Sequence, residues 1–255
     1  MSPKNTDKDW EMYGQMAPYF GVLSDEKYLP EQMNEAAVSD FFESGEKHID
    51  QTLALVRQHV AQDFEPRRCL DFGCGVGRLV IPLAHRFQSV VGVDVSSSMI
   101  EEARRNVEKY GLTNAEFTES DDDLSKVTGK FDFIHSFIVM QHISKDRGER
   151  LLVRLIDALN PSGVGAIHFT YSWDGWLQSA SAAQRFSRWV RESVPLVHNV
   201  TNLARGRKFN HPFMQMNVYD VNKLFSILQA RGCEQAHVQF TNHAGHWGVM
   251  ILFRR

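Results

Sequence analysis

The residues best placed to do chemistry in this 255-residue chain stand at the ends of apolar runs. The densest group is Cys69-Leu70-Asp71-Phe72-Gly73-Cys74-Gly75-Val76-Gly77-Arg78-Leu79, an apolar run with an acid near its end and three glycines at alternate positions. Glycines so placed let the backbone turn sharply and approach a ligand where a Cβ would clash. A turn of this kind, at the carboxyl end of a parallel strand and opening a helix, is where open α/β sheets bind nucleotides. The dinucleotide fingerprint requires G-x-G-x-x-G. Counted from Gly73, the position of its third glycine holds Arg78, so that fingerprint fails and the pattern present is D-x-G-x-G-x-G.

Further acids follow. Ser89-Val90-Val91-Gly92-Val93-Asp94-Val95 is a near-continuous apolar run ending at an acid, 19 residues beyond Gly75. A carboxylate at such a strand tip accepts hydrogen bonds from both hydroxyls of an adenosine ribose. The competing role for Asp94 is a helix N-cap, since Ser96, Ser97 and Ser98 follow it. After a third short run comes Ser120-Asp121-Asp122-Asp123, readable as a ligand-facing acid or as a solvated acidic turn. A fourth, Phe131-Asp132-Phe133-Ile134-His135-Ser136-Phe137-Ile138-Val139-Met140-Gln141-His142-Ile143, carries polar groups at and beyond its end.

The elements that must hold these groups alternate between strand and helix. Apolar residues at Ile49, Leu53, Val56 and Val60 predict an amphipathic helix over 46–60. Helices are expected over 79–84, 99–110, 146–159 and 218–232, strands at 69–72, 89–95, 115–118 and 165–170, and a fourth strand with its following loop over 131–143. Two final strands, 235–241 and 248–253, form a hairpin. Residues 1–45, rich in aromatics and broken by Pro18 and Pro30, form a helical arm. Tyr13 and Tyr19 read either as core packing or as ligand contacts, with packing favoured for each. Residues 172–217 interrupt the alternation with Trp173, Trp176, Phe186, Trp189 and Phe213, and with the basic group Arg205-Gly206-Arg207-Lys208 near His211.

As an ensemble, over residues 46–172 and 218–255, these motifs resemble class I S-adenosyl-L-methionine (SAM)-dependent methyltransferases of the small-molecule type. The resemblance implies an α/β fold: a doubly wound, mostly parallel seven-stranded sheet with a C-terminal antiparallel hairpin, an N-terminal helical arm and a cap insertion. It implies an arm (1–45) covering the cofactor site and a SAM-binding domain (46–255) with a substrate cap at about 172–217. It further implies SAM as the cofactor, S-adenosyl-L-homocysteine as the product, and an expected cofactor-binding set of Asp71, Gly73, Cys74, Gly75, Gly77, Asp94, Val95, Met99, Asp121, Asp122, Ser136 and Tyr19. A carboxylate at Asp71 suits a ligand that carries an ammonium and a sulfonium. There is no (D/N)-P-P-(Y/F), the signature of amino-nitrogen methylation of adenine or glutamine in related enzymes, and no magnesium-holding aspartate, so metal-free chemistry is expected; the expected acceptor is an oxygen or nitrogen of a small molecule. Alternatives are a protein or RNA methyltransferase and a non-catalytic SAM-binding protein.

Such chemistry depends mainly on holding nucleophile, methyl and sulfur in line. A hydroxyl acceptor also needs a base, and histidine suits neutral pH. His142 stands best, with Gln141 able to orient the acceptor; His168, His211, His243 and His246 are further candidates.

Composition bounds the rest. With 43% hydrophobic and 23% charged residues the chain reads as globular, and its formal charge of −3 argues against a surface built mainly for nucleic acid while leaving room for a local basic groove. No nucleic-acid or membrane partner is expected, and no apolar run approaches the roughly 20 residues that span a bilayer. Three cysteines, Cys69, Cys74 and Cys233, lack metal or disulfide spacing and suit a reducing cytoplasm.

Overall fold

The computed structural model describes residues 6–65, 67–173, 212 and 214–255. Seven strands form one sheet in the order β3-β2-β1-β4-β5-β7-β6. They are β1 (Arg68–Phe72), β2 (Ser89–Asp94), β3 (Ala115–Glu119), β4 (Phe131–Ser136), β5 (Leu159–Trp173), β6 (Gln235–His243) and β7 (His246–Arg254). The first five pair in parallel, whereas β7 runs antiparallel between β5 and β6. The strand order reverses between β1 and β4, the switch point at which open α/β sheets present their ligand crevice.

Strand alternation sorts the core into two layers. Cys69 of β1, Phe133 of β4, Val164 and Ala166 of β5, and Met250 and Leu252 of β7 face one layer. It is filled by α3 (Glu35–His59), α4 (Val80–Ala84) and α5 (Ser97–Lys109). Leu70, Phe72, Ile134, Ile167, Phe169 and Ile251 face the other, filled by α6 (Lys145–Ala158) and α7 (Val221–Ala230). Helices on both faces make the sheet doubly wound, as the alternating pattern predicts.

Several boundaries differ from the sequence reading. The side chain of Asn34 accepts from the Ala37 amide at 2.9 Å and starts α3 well before residue 46. The helix then runs unbroken across the 45/46 boundary, because Phe41, Phe42 and Ile49 bury one continuous apolar face. β5 begins at Leu159 rather than 165: the Asn160-Pro161-Ser162-Gly163 turn lies within it, with Ser162 at φ +65° and a register shift opposite β4. β5 also extends to Trp173, so 172 and 173 belong to the sheet. The hairpin closes on only Ala244 and Gly245, whose φ values of +51° and +84° fit a two-residue turn matched to strand twist. Ahead of α3, the arm forms α1 (Asp7–Met16) and α2 (Pro18–Val22).

Candidate functional site

The glycine loop is bound to β2 by its own backbone. The amides of Gly73 and Cys74 donate to the Val93 carbonyl at 2.7 and 3.0 Å, and that of Gly75 donates to Asp94 Oδ2 at 2.9 Å. Asp94 Oδ1 accepts from the Ser96 amide at 3.0 Å, while Ser96 itself caps α5. Burial pushes the Asp94 carboxyl above its ordinary value, opposed by the amides of Ser96 and Gly75. Gly73 and Gly75 adopt φ of +75° and +51°. A Cβ on Gly73 would lie 2.4 Å from Val139 Cγ2, and one on Gly75 would lie 2.5 Å from Val22 Cγ2. The backbone thus forms a cradle that side chains would fill.

This loop floors a pocket at the carboxyl ends of β1, β2 and β4. Of the residues expected from sequence, Gly73, Gly75, Asp94, Val95, Met99, Asp121 and His142 converge on it. The others lie elsewhere, for reasons that strand parity and local bonding make plain. Asp71 is on the α3 side of β1, buried, with Oδ1 2.9 Å from Nδ1 of His135. Cys74 is buried, and a Cβ on Gly92 would come within 3.1 Å of its sulfur. Gly77 faces Ala103 of α5. Ser136 is sealed, donating to the Phe72 carbonyl at 2.9 Å. Asp122 pairs with Nε of Arg147, and Tyr19 shares its hydroxyl proton between Glu102 Oε1 at 2.9 Å and Asn106 Oδ1 at 3.0 Å. Asp121, although on the pocket wall, accepts from the amides of Ser125 and Asp123 and from the Ser125 hydroxyl, which hold its carboxyl below the usual range. Asp121 thus lines the pocket and also holds the acidic turn together.

His142 has both ring nitrogens engaged. A carbonyl only accepts, so Nδ1–H donates to the Gln215 carbonyl at 2.7 Å. In the neutral ring, Nε2 then accepts from Gln141 Nε2 at 3.2 Å. Gln141 is fixed in turn by the Thr170 hydroxyl, which donates to its Oε1 at 2.7 Å. Burial pushes the His142 imidazole down to about 4, against the pull of the Gln215 carbonyl. At neutral pH it is an uncharged, oriented wall rather than a free base. Gln141 meets the pocket only through His142.

The arm roofs the pocket. Thr6, Asp7 and Trp10 of its first segment line it, with Gly21 and Val22 of α2. Arg147 of α6 donates to Asp7 Oδ1 and Oδ2 at 2.8 and 3.1 Å. Glu11 sits on the N-terminus of α5, accepting from Ser98 Oγ at 2.6 Å, Ser96 Oγ at 2.8 Å and the Ser98 amide at 3.2 Å. Burial raises the Glu11 carboxyl, and these bonds outweigh it, bringing the group to about 2. Trp10 packs edge-on against His142 at 4.8 Å.

Sequence reasoning missed Thr6, Asp7, Trp10, Val22, Phe137, Ile138, Val139 and Arg147 as lining residues. The β4 group was findable, since Phe137 to Val139 follow directly on the end of a strand at the switch point. Nothing in the local sequence pairs Asp7 with Arg147. Trp176, Phe186, Trp189, Arg205, Arg207, Lys208, His211 and Phe213 lie outside the described residues.

Comparison with known proteins adds independent grounds. Residues 69–163 match the family model described as a methyltransferase domain. The chain is 44% identical over 57 residues to the 23S rRNA (uracil(1939)-C(5))-methyltransferase RlmD of Stenotrophomonas maltophilia, covering 22% of this chain and 13% of that protein. It is 34% identical over 122 residues to the ubiquinone biosynthesis O-methyltransferase of Chelativorans sp., covering 44% and 47%. The chain thus spans less than half the length of these curated relatives. Among solved structures, magnesium protoporphyrin IX methyltransferase from Synechocystis with bound SAM has a TM-score of 0.63 at 17% identity, covering 100% of this chain and 99% of that one, a likeness of fold.

These relatives correct one expectation. Exclusion of a nucleic-acid partner does not stand, because several relatives, including an RNA methyltransferase of Thermosynechococcus vestitus (33% identical over 100 residues, 38% of this chain and 22% of that protein), act on RNA by name. A net charge of −3 sums the whole chain and carries no information about a local face. Among the described residues, no helix is long and apolar enough to cross a membrane. Over residues 69–163 the chain thus matches a methyltransferase domain, and its fold is like that of a solved SAM-bound methyltransferase.

Proposed function

We propose that this chain binds SAM in the roofed pocket and transfers its methyl group to an oxygen or nitrogen of a small-molecule acceptor. One observation carries the cofactor half of this reading. The Asp94 carboxylate, at the tip of β2, faces the pocket beside a glycine cradle that has no room for side chains. An acid in that position accepts from ribose hydroxyls, and the glycines admit the rest of the ligand against bare backbone.

SAM supplies an activated methyl on a sulfonium that leaves as a neutral thioether. The chain's own residues bind, orient and exclude water. Gly73 and Gly75 hold the ligand against the sheet, Met99 and Val95 wall it, and Trp10 with His142 closes one side. The salt bridge from Arg147 to Asp7 keeps the roof in place. Alignment of donor and acceptor in such a closed site supplies most of the rate.

The small-molecule reading is supported by the roof, which narrows access, and by the relative named for ubiquinone biosynthesis, the longest match among the relatives named above. A second reading, transfer to RNA, has its own support in the RNA methyltransferases among the relatives. Incubation with methyl-labelled SAM and a cell extract, followed by separation of metabolites, RNA and protein, decides between them. Label in the metabolite fraction is expected; label in RNA overturns the acceptor half of the proposal.

A further inference from the structure

Strand parity gathers a second set of polar groups on the α3 face of the sheet, apart from His142. Asp71 of β1 and His135 of β4 are direct register partners, and both are sealed from solvent. Asp71 Oδ1 is 2.9 Å from His135 Nδ1, and His135 Nε2 is 3.0 Å from Nε2 of His48 on α3. The direction of this chain follows from its ends. A carboxylate only accepts, so His135 donates from Nδ1. In the uncharged relay each imidazole then gives one proton and takes one, so His135 Nε2 accepts from His48 Nε2–H. The bare lone pair falls on Nδ1 of His48. That atom has no hydrogen-bond partner among the described residues and is not among the sealed unpartnered nitrogens, unlike Nδ1 of His168 and Nε2 of His243.

The relay adjoins the site. The His48 ring packs on that of Phe137 with centroids 3.9 Å apart, and Phe137 lines the cofactor pocket. His168 and His243 meet the same phenyl ring edge-on at 5.2 and 5.4 Å. The charged and titratable groups bearing on His48 are His135, Arg78, His168 and His243. His142, in contrast, has no nitrogen to spare.

We propose that His48 is the general base for a hydroxyl-bearing acceptor that enters the cofactor pocket along the edge of Phe137, with His135 and Asp71 as its positioning residues. This rests on the methyltransferase reading given above. The acceptor oxygen forms its new bond to the methyl carbon, and the electron pair of the methyl–sulfur bond stays with sulfur. The acceptor proton moves to Nδ1 of His48, giving an imidazolium that the Asp71 carboxylate stabilises through His135. Positive charge passes from sulfonium to imidazolium, and the products are a methyl ether and a neutral thioether.

The relay is testable without cofactor or acceptor. Long-range 15N–1H correlation spectra of the full 15N-labelled chain at pH 7 should show His135 as the Nδ1–H tautomer and His48 as the Nε2–H tautomer. His48 found as Nδ1–H overturns the relay. The catalytic half is read from labelled methyl transfer to a cell extract. His48→Gln should be about 100-fold slower, the lower end of what a general base contributes. Its SAM affinity and thermal midpoint should be unchanged, and added imidazole should restore part of the rate. Transfer at the wild-type rate by His48→Gln overturns the base assignment. Wild-type protein that labels nothing contradicts the methyltransferase reading instead, and the tautomers alone then judge the relay.

Discussion

The amide of Gly75 donates to Oδ2 of Asp94 across 2.9 Å, so the carboxylate expected to face a ribose also holds the loop expected to cradle the ligand. Removing it therefore costs twice. Asp94→Ala should weaken SAM binding by more than tenfold in calorimetry, whereas Asp94→Asn, which keeps one accepting oxygen, should lose less. Equal affinity for wild type and Asp94→Ala would remove Asp94 from the cofactor site.

Gly73 makes the sharper steric prediction. Its φ of +75° costs an L-residue about 1–2 kcal/mol, and an added methyl would meet Val139 at 2.4 Å. Gly73→Ala should lower the thermal midpoint and abolish detectable SAM binding, because Val139 is pushed into the pocket it lines. A variant that binds normally would show that the cradle is looser than described.

Beside the Asp7–Arg147 pair, the Glu11 carboxylate latches the roof to the N-terminus of α5. Glu11 sits at about 2 in the folded chain against 4.5 for a free glutamate. A lowered carboxylate stabilises above its unfolded value and loses that contribution as pH falls from about 4.5 towards 2. At pH 7 the latch is fully engaged. Glu11→Ala should therefore speed amide exchange in Asp7–Met16 at pH 7 while the sheet stays protected. Unchanged exchange in that helix would mean that Arg147 and Asp7 hold it alone.

Buried histidines give acid sensitivity in a different window. Burial lowers His142 to about 4 and His168 to about 3, and it lowers His48 and His243 as well. An unfolded chain binds protons at these rings from near 6.5 downward, which the folded chain resists. Stability should fall as pH drops from 6.5 towards 4, visible as a declining midpoint of urea unfolding. A flat profile over that range would contradict the buried neutral rings.

Much of this architecture was legible because its signals are local. The run from Cys69 to Leu79 announces strand, loop and helix within eleven consecutive positions, and the switch-point pocket follows from where that loop must lie. The position of Asp94 at the pocket was legible for the same reason. Asp71 was not, because motif resemblance ignores strand parity: on β1 it points to α3 with Cys69, away from the pocket face occupied by Phe72. Tyr19 shows the converse limit, since an aromatic in an arm gives no register, and its partners Glu102 and Asn106 lie more than 80 positions away. The pairing of Asp7 with Arg147, 140 positions apart, belongs to tertiary structure alone.

The central claim is that the pocket takes SAM rather than a dinucleotide. Titration calorimetry of the purified chain against SAM, S-adenosyl-L-homocysteine and NAD tests it most directly. Saturable binding of the first two, with no heat from NAD, is the predicted result. Binding of NAD, or of none of the three, would contradict the account.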